Sequence, residues 1–221
     1  MPLTTLILLF PVLTFHAHSQ DTSDIPKSIL RNSRNVQIEL EEDLGNISMR
    51  VPHIYDTFQL WHDRTDCARC GKVKYRFQPR NLPISLESGF VYLGEPTDSI
   101  DRLTIRHPEY IFHHPPQTDS QIIFARHKDF QINIKVDPRY PPIIFDTIEF
   151  INDRYYSIII LDTFIRKTSQ YHRMAIATTT VNNNEVTFTF ELLTKARGIR
   201  VETFIETALF LFRTIKLSNG I

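Results

Sequence analysis

From Ile144 to Leu193 the chain reads as two hairpins in succession. Ile144–Ile151 and Tyr155–Phe164 flank Asn152-Asp153, while Met174–Val181 and Val186–Leu193 flank Asn182-Asn183-Asn184. Asn and Asp tolerate the left-handed backbone that a tight hairpin turn demands. Val186, Phe188, Phe190 and Leu192 fall on one side of the last segment, and Thr187, Thr189 and Glu191 on the other. One face of that strand is therefore expected to be buried. Ile158-Ile159-Ile160-Leu161 is apolar on both sides, as a strand covered on both faces would be. Beyond Gly198, Val201, Phe204, Ile205, Ala208, Leu209 and Phe212 recur at helical spacing, opposite Glu202, Glu206 and Arg213. A helix with so broad an apolar stripe has to dock, and the face made by the hairpins is its natural partner. The expected fold class is α+β: an antiparallel sheet meander packed against a C-terminal helix.

Upstream the signals are shorter. Val36, Ile38 and Leu40 alternate with polar residues as a half-buried strand does, Glu42-Asp43-Leu44-Gly45 is a turn, and Ile47–Val51 is the return strand. Ile54, Phe58 and Trp61 are four and three residues apart after Pro52, which predicts a short helix. Lys72–Gln78 is a strand pattern, with Val73, Tyr75 and Phe77 on one side and Lys72, Lys74 and Arg76 on the other. Phe90–Leu93 and Leu103–Ile105 are short strand candidates, and His107–Asp119, with its prolines, is expected to be irregular. Phe130, Ile132, Ile134 and Val136 alternate with Gln131, Asn133 and Lys135, which predicts another strand.

The first twenty residues hold no charged side chain, Leu3–Phe15 is almost purely apolar, and Ala17-His18-Ser19 supplies small residues at the right spacing for cleavage. This is a secretory leader pattern. A retained anchor is the rival reading, but spanning a bilayer takes about 20 apolar residues and this run falls short. The expected organisation is a signal peptide over 1–19, a flexible lead-in over 20–35 and a single α+β domain over 36–221. The expected location is secreted or periplasmic, with no membrane association after cleavage. Roughly 200 residues then remain, enough to bury a real core.

The order of long hairpins, the strand Phe190-Glu191-Leu192-Leu193 and a C-terminal helix running into Thr214-Ile215-Lys216-Leu217 resembles the PsbP-like family over about residues 121–217. The resemblance implies a small extracytoplasmic α+β protein whose sheet is sandwiched by helices. It also implies one of diverse, mostly non-enzymatic accessory roles. The cysteine loop is not part of that family's pattern, and no family site residue transfers.

The 25 basic and 25 acidic residues balance, which argues against a nucleic-acid partner because such binders carry a basic excess. Cys67-Ala68-Arg69-Cys70-Gly71 holds both cysteines of the chain. A local disulfide, a redox dithiol favoured by Arg69, Lys72 and Lys74, half of a zinc site, and free thiols all fit that spacing. In an oxidising compartment the disulfide of Cys67 and Cys70 leads. His107, His113, His114 and His127 match no metal-ligand spacing, so no metal is expected there. Lys72, Lys74 and Arg76 are candidate contacts for an anion or a partner, against a plain edge strand guarded by its cations. Nucleophile elbows and phosphate loops are missing from the sequence, and Asn46-Ile47-Ser48 is a glycosylation sequon. The expected function is that of an exported, non-enzymatic protein without a cofactor, binding a protein or glycan partner or serving as an accessory subunit. The alternatives are a thiol-disulfide redox protein and a zinc-stabilised module.

Overall fold

In a computed structural model, residues 27–63, 66–67, 70–82, 87–88, 91–92, 99–111, 119–136 and 141–218 are described. The two hairpins fall where the sequence puts them. β8 (Ile143–Ile151) and β9 (Arg154–Ile165) are joined by Asn152 and Asp153 at φ 45° and 68°. β10 (Gln170–Val181) and β11 (Asn184–Thr194) are joined by Asn182 and Asn183 at φ 50° and 63°. Both are two-residue turns with left-handed backbone at each central position, the geometry that matches the twist of the flanking strands. Asn184 already belongs to β11, and its side-chain amide donates to the Asn182 carbonyl at 2.8 Å.

These four strands belong to one side of a seven-stranded antiparallel sheet. The other side is β3 (Thr57–Asp63), β4 (Lys72–Gln78) and β7 (Ile100–Pro108), giving the order β3-β4-β7-β11-β10-β9-β8. A smaller sheet joins β1 (Ser33–Leu40) and β2 (Gly45–Pro52) to β12 (Lys216–Ser218), in the order β1-β2-β12. β5 (Glu87–Ser88) and β6 (Val91–Tyr92) make a separate two-stranded ribbon. The helices are α1 (Lys27–Arg31), α2 (Asp119–Val136), α3 (Ile199–Glu202) and α4 (Phe204–Arg213). The fold is mixed α+β and dominated by antiparallel strands.

One face of the large sheet carries the main core. Val73, Tyr75, Phe77, Leu103, Ile105, Ile158, Ile160, Phe188 and Phe190 meet the small sheet and α4 there. The ring of Phe212 on α4 lies 5.4 Å from that of Phe190. The opposite face has a smaller cluster, in which Ile134 of α2 packs on Ile159, Leu161 and Ile176. β9 thus feeds alternate residues to two cores, which is why its apolar run shows no alternation.

Two predicted elements change type. Of the stretch expected as a helix, Pro52 ends β2, Ile54 lies in the turn that follows, and Thr57–Asp63 is strand β3, whose Phe58 and Leu60 stay about half exposed because β3 lies at the sheet edge. The stretch expected as a strand at Phe130–Val136 is the end of α2. Ile123, His127, Phe130 and Ile134, spaced four, three and four, form the face toward the sheet, while Phe124, Ile132 and Val136 are exposed. Apolar residues on both sides of the helix imitate a period of two, and packing against β9 decides the outcome. Two boundaries move as well. β1 starts at Ser33, after a turn of helix over Lys27–Arg31, so ordered structure reaches into the 20–35 lead-in. β7 extends to Pro108 and takes His107 out of the predicted irregular stretch. The leader over 1–19 lies outside the described residues.

Candidate functional site

Cys67 and Cys70 are joined in a disulfide, and the Cys70 N–H donates to the Cys67 carbonyl at 3.0 Å. With both sulfurs in the bond, neither is a thiolate for a metal or a substrate. Gly71 follows directly; its carbonyl accepts the Glu109 N–H at 2.9 Å, and a Cβ there would run into the Glu109 carboxylate. Glu109 in turn holds His62 Nδ1 at 2.9 Å, and His62 Nε2 lies 3.0 Å from Glu41. This imidazole spends both nitrogens on carboxylates. The hydrogen bond to Glu109 is the main reason its pKa is raised. Among the described residues no cluster of three or more His, Cys, Asp or Glu is placed to hold a metal ion.

His107 is a core residue rather than a loop residue. Its Nδ1 meets the Pro108 carbonyl at 2.7 Å and its Nε2 the Tyr75 hydroxyl at 3.1 Å, and burial lowers its pKa. Burial likewise pushes Tyr75 up to about 12. His127 sits on α2 against the Ser157 hydroxyl at 2.8 Å, while His113 and His114 lie outside the described residues. Asn46 of the sequon is exposed on β2.

Lys72, Lys74 and Arg76 share one face of β4, as expected, but β4 is an interior strand between β3 and β7, not an edge. Arg76 is 2% exposed and lies 4.7 Å over the Trp61 ring, with its Nε donating to the Thr104 hydroxyl at 3.3 Å. Lys74 pairs with Asp63 at 2.8 Å. Lys72 is half-buried, and desolvation lowers its pKa. On the same face Arg102 pairs with Glu191 at 2.7 Å, and Glu191 also accepts from His172 at 3.1 Å. The face is a polar lattice that joins strands laterally. The edge-strand explanation of these cations is therefore replaced: Lys74 and Arg76 are buried and engaged with neighbouring strands, and Lys72 is half-buried beside them.

A groove lies at the other end of the strands. It measures about 490 Å³ and is bounded by Ile54, by Pro79–Leu82, by Ser99 and Asp101 at the start of β7, and by the Thr194–Arg200 connection into α3. Asp101 and Arg200 form its floor, with Tyr55 packed beneath them. Tyr55 is fully buried; Arg34 donates to its carbonyl at 3.0 Å, and its ring lies 6.4 Å from Phe190. Asp101 is fixed by the β7–β11 ladder opposite Leu192. Arg200 is carried by α3, which Arg173 anchors by donating to the Val201 carbonyl while pairing with Asp162. The Arg200 guanidinium lies over the Tyr55 ring at 5.5 Å. Its Nε donates to Asp101 Oδ2 at 2.9 Å, and its Nη2 donates to Asp101 Oδ1 at 2.6 Å and to the Tyr55 hydroxyl at 2.7 Å. The Tyr55 O–H donates to Asp101 Oδ1 at 2.5 Å.

Burial, followed by the Asp101 charge, raises the Tyr55 pKa well above the usual phenol value. Burial works against the charge on Arg200, but Tyr55 and Asp101 outweigh it and hold the guanidinium protonated. These groups satisfy one another, and within the clamp Tyr55 keeps its proton and Arg200 its charge near neutral pH. Sequence reading missed all three residues, because Tyr55, Asp101 and Arg200 belong to unrelated stretches and no motif spacing links them.

No protein-family model matches the chain. No curated protein matches it in sequence. Among solved structures, the crystal structure of LpqN, described as involved in cell envelope biogenesis of Mycobacterium tuberculosis, aligns over 87% of this chain and 96% of that chain, at 10% identity and a TM-score of 0.35. A likeness that distant assigns no function. Among the described residues no helix is long and apolar enough to cross a membrane.

Proposed function

We propose that the chain is an exported protein, released from a leader over residues 1–19, that works by binding a partner or as an accessory subunit rather than by turning over a substrate. The observation that carries this reading is the floor of the groove. A concavity of ligand-binding size has its only described ionisable groups, Asp101 and Arg200, locked to each other above Tyr55. An active site needs at least one group poised to give or take a proton or a bond. Here both already have their partners, and Arg200 is held protonated. The resemblance of residues 121–217 to PsbP-like accessory proteins agrees with this reading. The test is turnover by the purified protein against ester, amide, glycoside and phosphate substrates between about pH 5 and pH 9. No activity above buffer is expected. Saturable turnover that disappears in Asp101→Asn would overturn the proposal.

A second reading has one observation in its favour: Cys67 and Cys70 are both exposed, so an incoming thiolate can reach the disulfide. A reduction potential below about −300 mV would mark a structural bridge, and a value well above it would make the thiol-disulfide reading the better one.

A further inference from the structure

The groove has a composition that selects among partners. Its walls are aliphatic, from Ile54, Pro79, Leu82, Leu192, Ala196 and Ile199. Two of these form lips that stand in water: Ile54 is 51% exposed and Ile199 is 75% exposed. Together with the other aliphatic lining residues they make an apolar surface along one concavity, which suits a contact. A sugar is recognised largely by stacking on an aromatic face, and among the described residues no aromatic side chain lines the groove. A small apolar molecule would leave much of its surface in water in so open a groove, whereas bound small ligands are mostly engulfed.

The polar floor narrows the choice further. Asp101 and Arg200, the described charged residues that line the groove, cancel each other's charge. Asp101 has both oxygens occupied. Arg200 is paired through its Nε–Nη2 edge, which leaves its Nη1 amino group on the opposite edge with two N–H donors to offer. The side chain is 30% exposed and held in orientation by the carboxylate and the Tyr55 ring. A rigid donor pair that carries no uncompensated charge matches a neutral carbonyl oxygen. Asn81 and Ser99 beside it supply further hydrogen-bonding groups. One chemistry provides a neutral carbonyl between bulky apolar groups at intervals of a few ångström: an extended polypeptide.

We propose that the groove binds an extended apolar peptide segment of a partner protein, with a backbone carbonyl on Arg200 Nη1 and flanking aliphatic side chains on Ile54, Leu82 and Ile199. This rests on the binding function proposed above and chooses protein over glycan as the partner. The full exported chain, with its disulfide intact, is titrated with an acetylated, amidated hexapeptide of alternating Leu and Thr and followed by amide NMR shifts. An all-Ser/Thr hexapeptide, maltohexaose and laurate serve as comparison probes. The Leu/Thr peptide is expected to bind saturably, with shifts concentrated in residues 79–82, 99–101 and 194–200. Ile199→Asp changes a side chain that is already exposed, so the fold survives; it should weaken binding about tenfold. Arg200→Lys keeps the charge but loses the forked donor and should also weaken it. Equal affinity in Ile199→Asp, shifts centred elsewhere, no binding at millimolar peptide, or binding of laurate or maltohexaose in place of the peptide would each overturn the assignment. None of these results requires catalysis, so the groove can fail while the broader binding function stands. Turnover of a substrate would fail both.

Discussion

The two faces of the seven-stranded sheet are held by different physics, and β4 and β9 show it residue by residue. Toward the small sheet and α4, β4 gives Val73, Tyr75 and Phe77, and β9 gives Ile158 and Ile160, to one continuous apolar core. Toward the other face, β9 gives Ile159 and Leu161 to a small cluster under α2. On that face β4 gives Lys74 and Arg76 to a lattice of ion pairs, hydrogen bonds and a stacked indole, with half-buried Lys72 beside it. Burial is similar on both sides of β4, but only one side is apolar. Alternation in a sequence therefore reports a change of chemistry between faces. It does not by itself say which face meets water.

The comparison can be broken by neighbouring substitutions in one strand. Ile160→Ala removes a methyl-rich side chain from the large core and should cost about 4 kcal/mol, whereas Ile159→Ala, in the thinner cluster below α2, should cost about 2 kcal/mol. Urea unfolding of both variants checks the order; equal losses would mean that α2 seals its face as well as α4 does. On the polar half of that face, Glu191→Gln strips the charge that Arg102 and His172 share and should cost about 3 kcal/mol. Burial raises the Glu191 pKa, but the His172 and Arg102 contacts outweigh it, so the net shift is downward. Its contribution is therefore present above the ordinary carboxylate range and fades as pH falls through the depressed value. The gap between wild type and Glu191→Gln should narrow in acid, measured as unfolding midpoints from about pH 7 to pH 3.

His62 ties the two sheets together, because Glu41 follows β1 and Glu109 follows β7. Its raised pKa gives the opposite sign. The stabilisation is complete below the ordinary imidazole value of about 6.5 and is lost as pH rises through the raised one. His62→Gln should cost at most about 1 kcal/mol near pH 5.5, since the pair is partly solvated, and almost nothing above about pH 8.5. A cost that grows with pH would contradict the clamp. The smallest effect is expected from Tyr156, whose hydroxyl is buried in the main core without a hydrogen-bond partner. Tyr156→Phe deletes that oxygen and should stabilise the protein by about 0.5–1 kcal/mol, read as a higher thermal midpoint.

The sequence carries local turn chemistry and one-sided patterns well. Asn152-Asp153 and Asn182-Asn183 mark their hairpins because few residue pairs accept positive φ twice in a row. The stripe from Val201 to Phe212 marks the C-terminal helices because burial on one side leaves a period. The failures fall where tertiary packing decides. α2 scatters Phe124, Ile132 and Val136 around its surface and buries only a narrow strip, so its sequence mimics a strand. β3 lies at an edge, where half-exposed Phe58 and Leu60 give no clean alternation. β12 is too short to show any period, yet it closes the small sheet by pairing Leu217 with Ile47. The cysteine pair was legible as a local unit. The floor of the groove was not, since Tyr55, Asp101 and Arg200 meet only after three separate elements have docked.

The most direct test of that floor is the ionisation of Tyr55. In protein carrying ring-labelled tyrosine, the Tyr55 Cζ resonance should stay at its neutral-phenol position up to about pH 10, the ordinary phenol value. A Tyr55 signal that moves below about pH 8 would show a proton free to leave the groove, and the assignment of this site to binding rather than catalysis would fall.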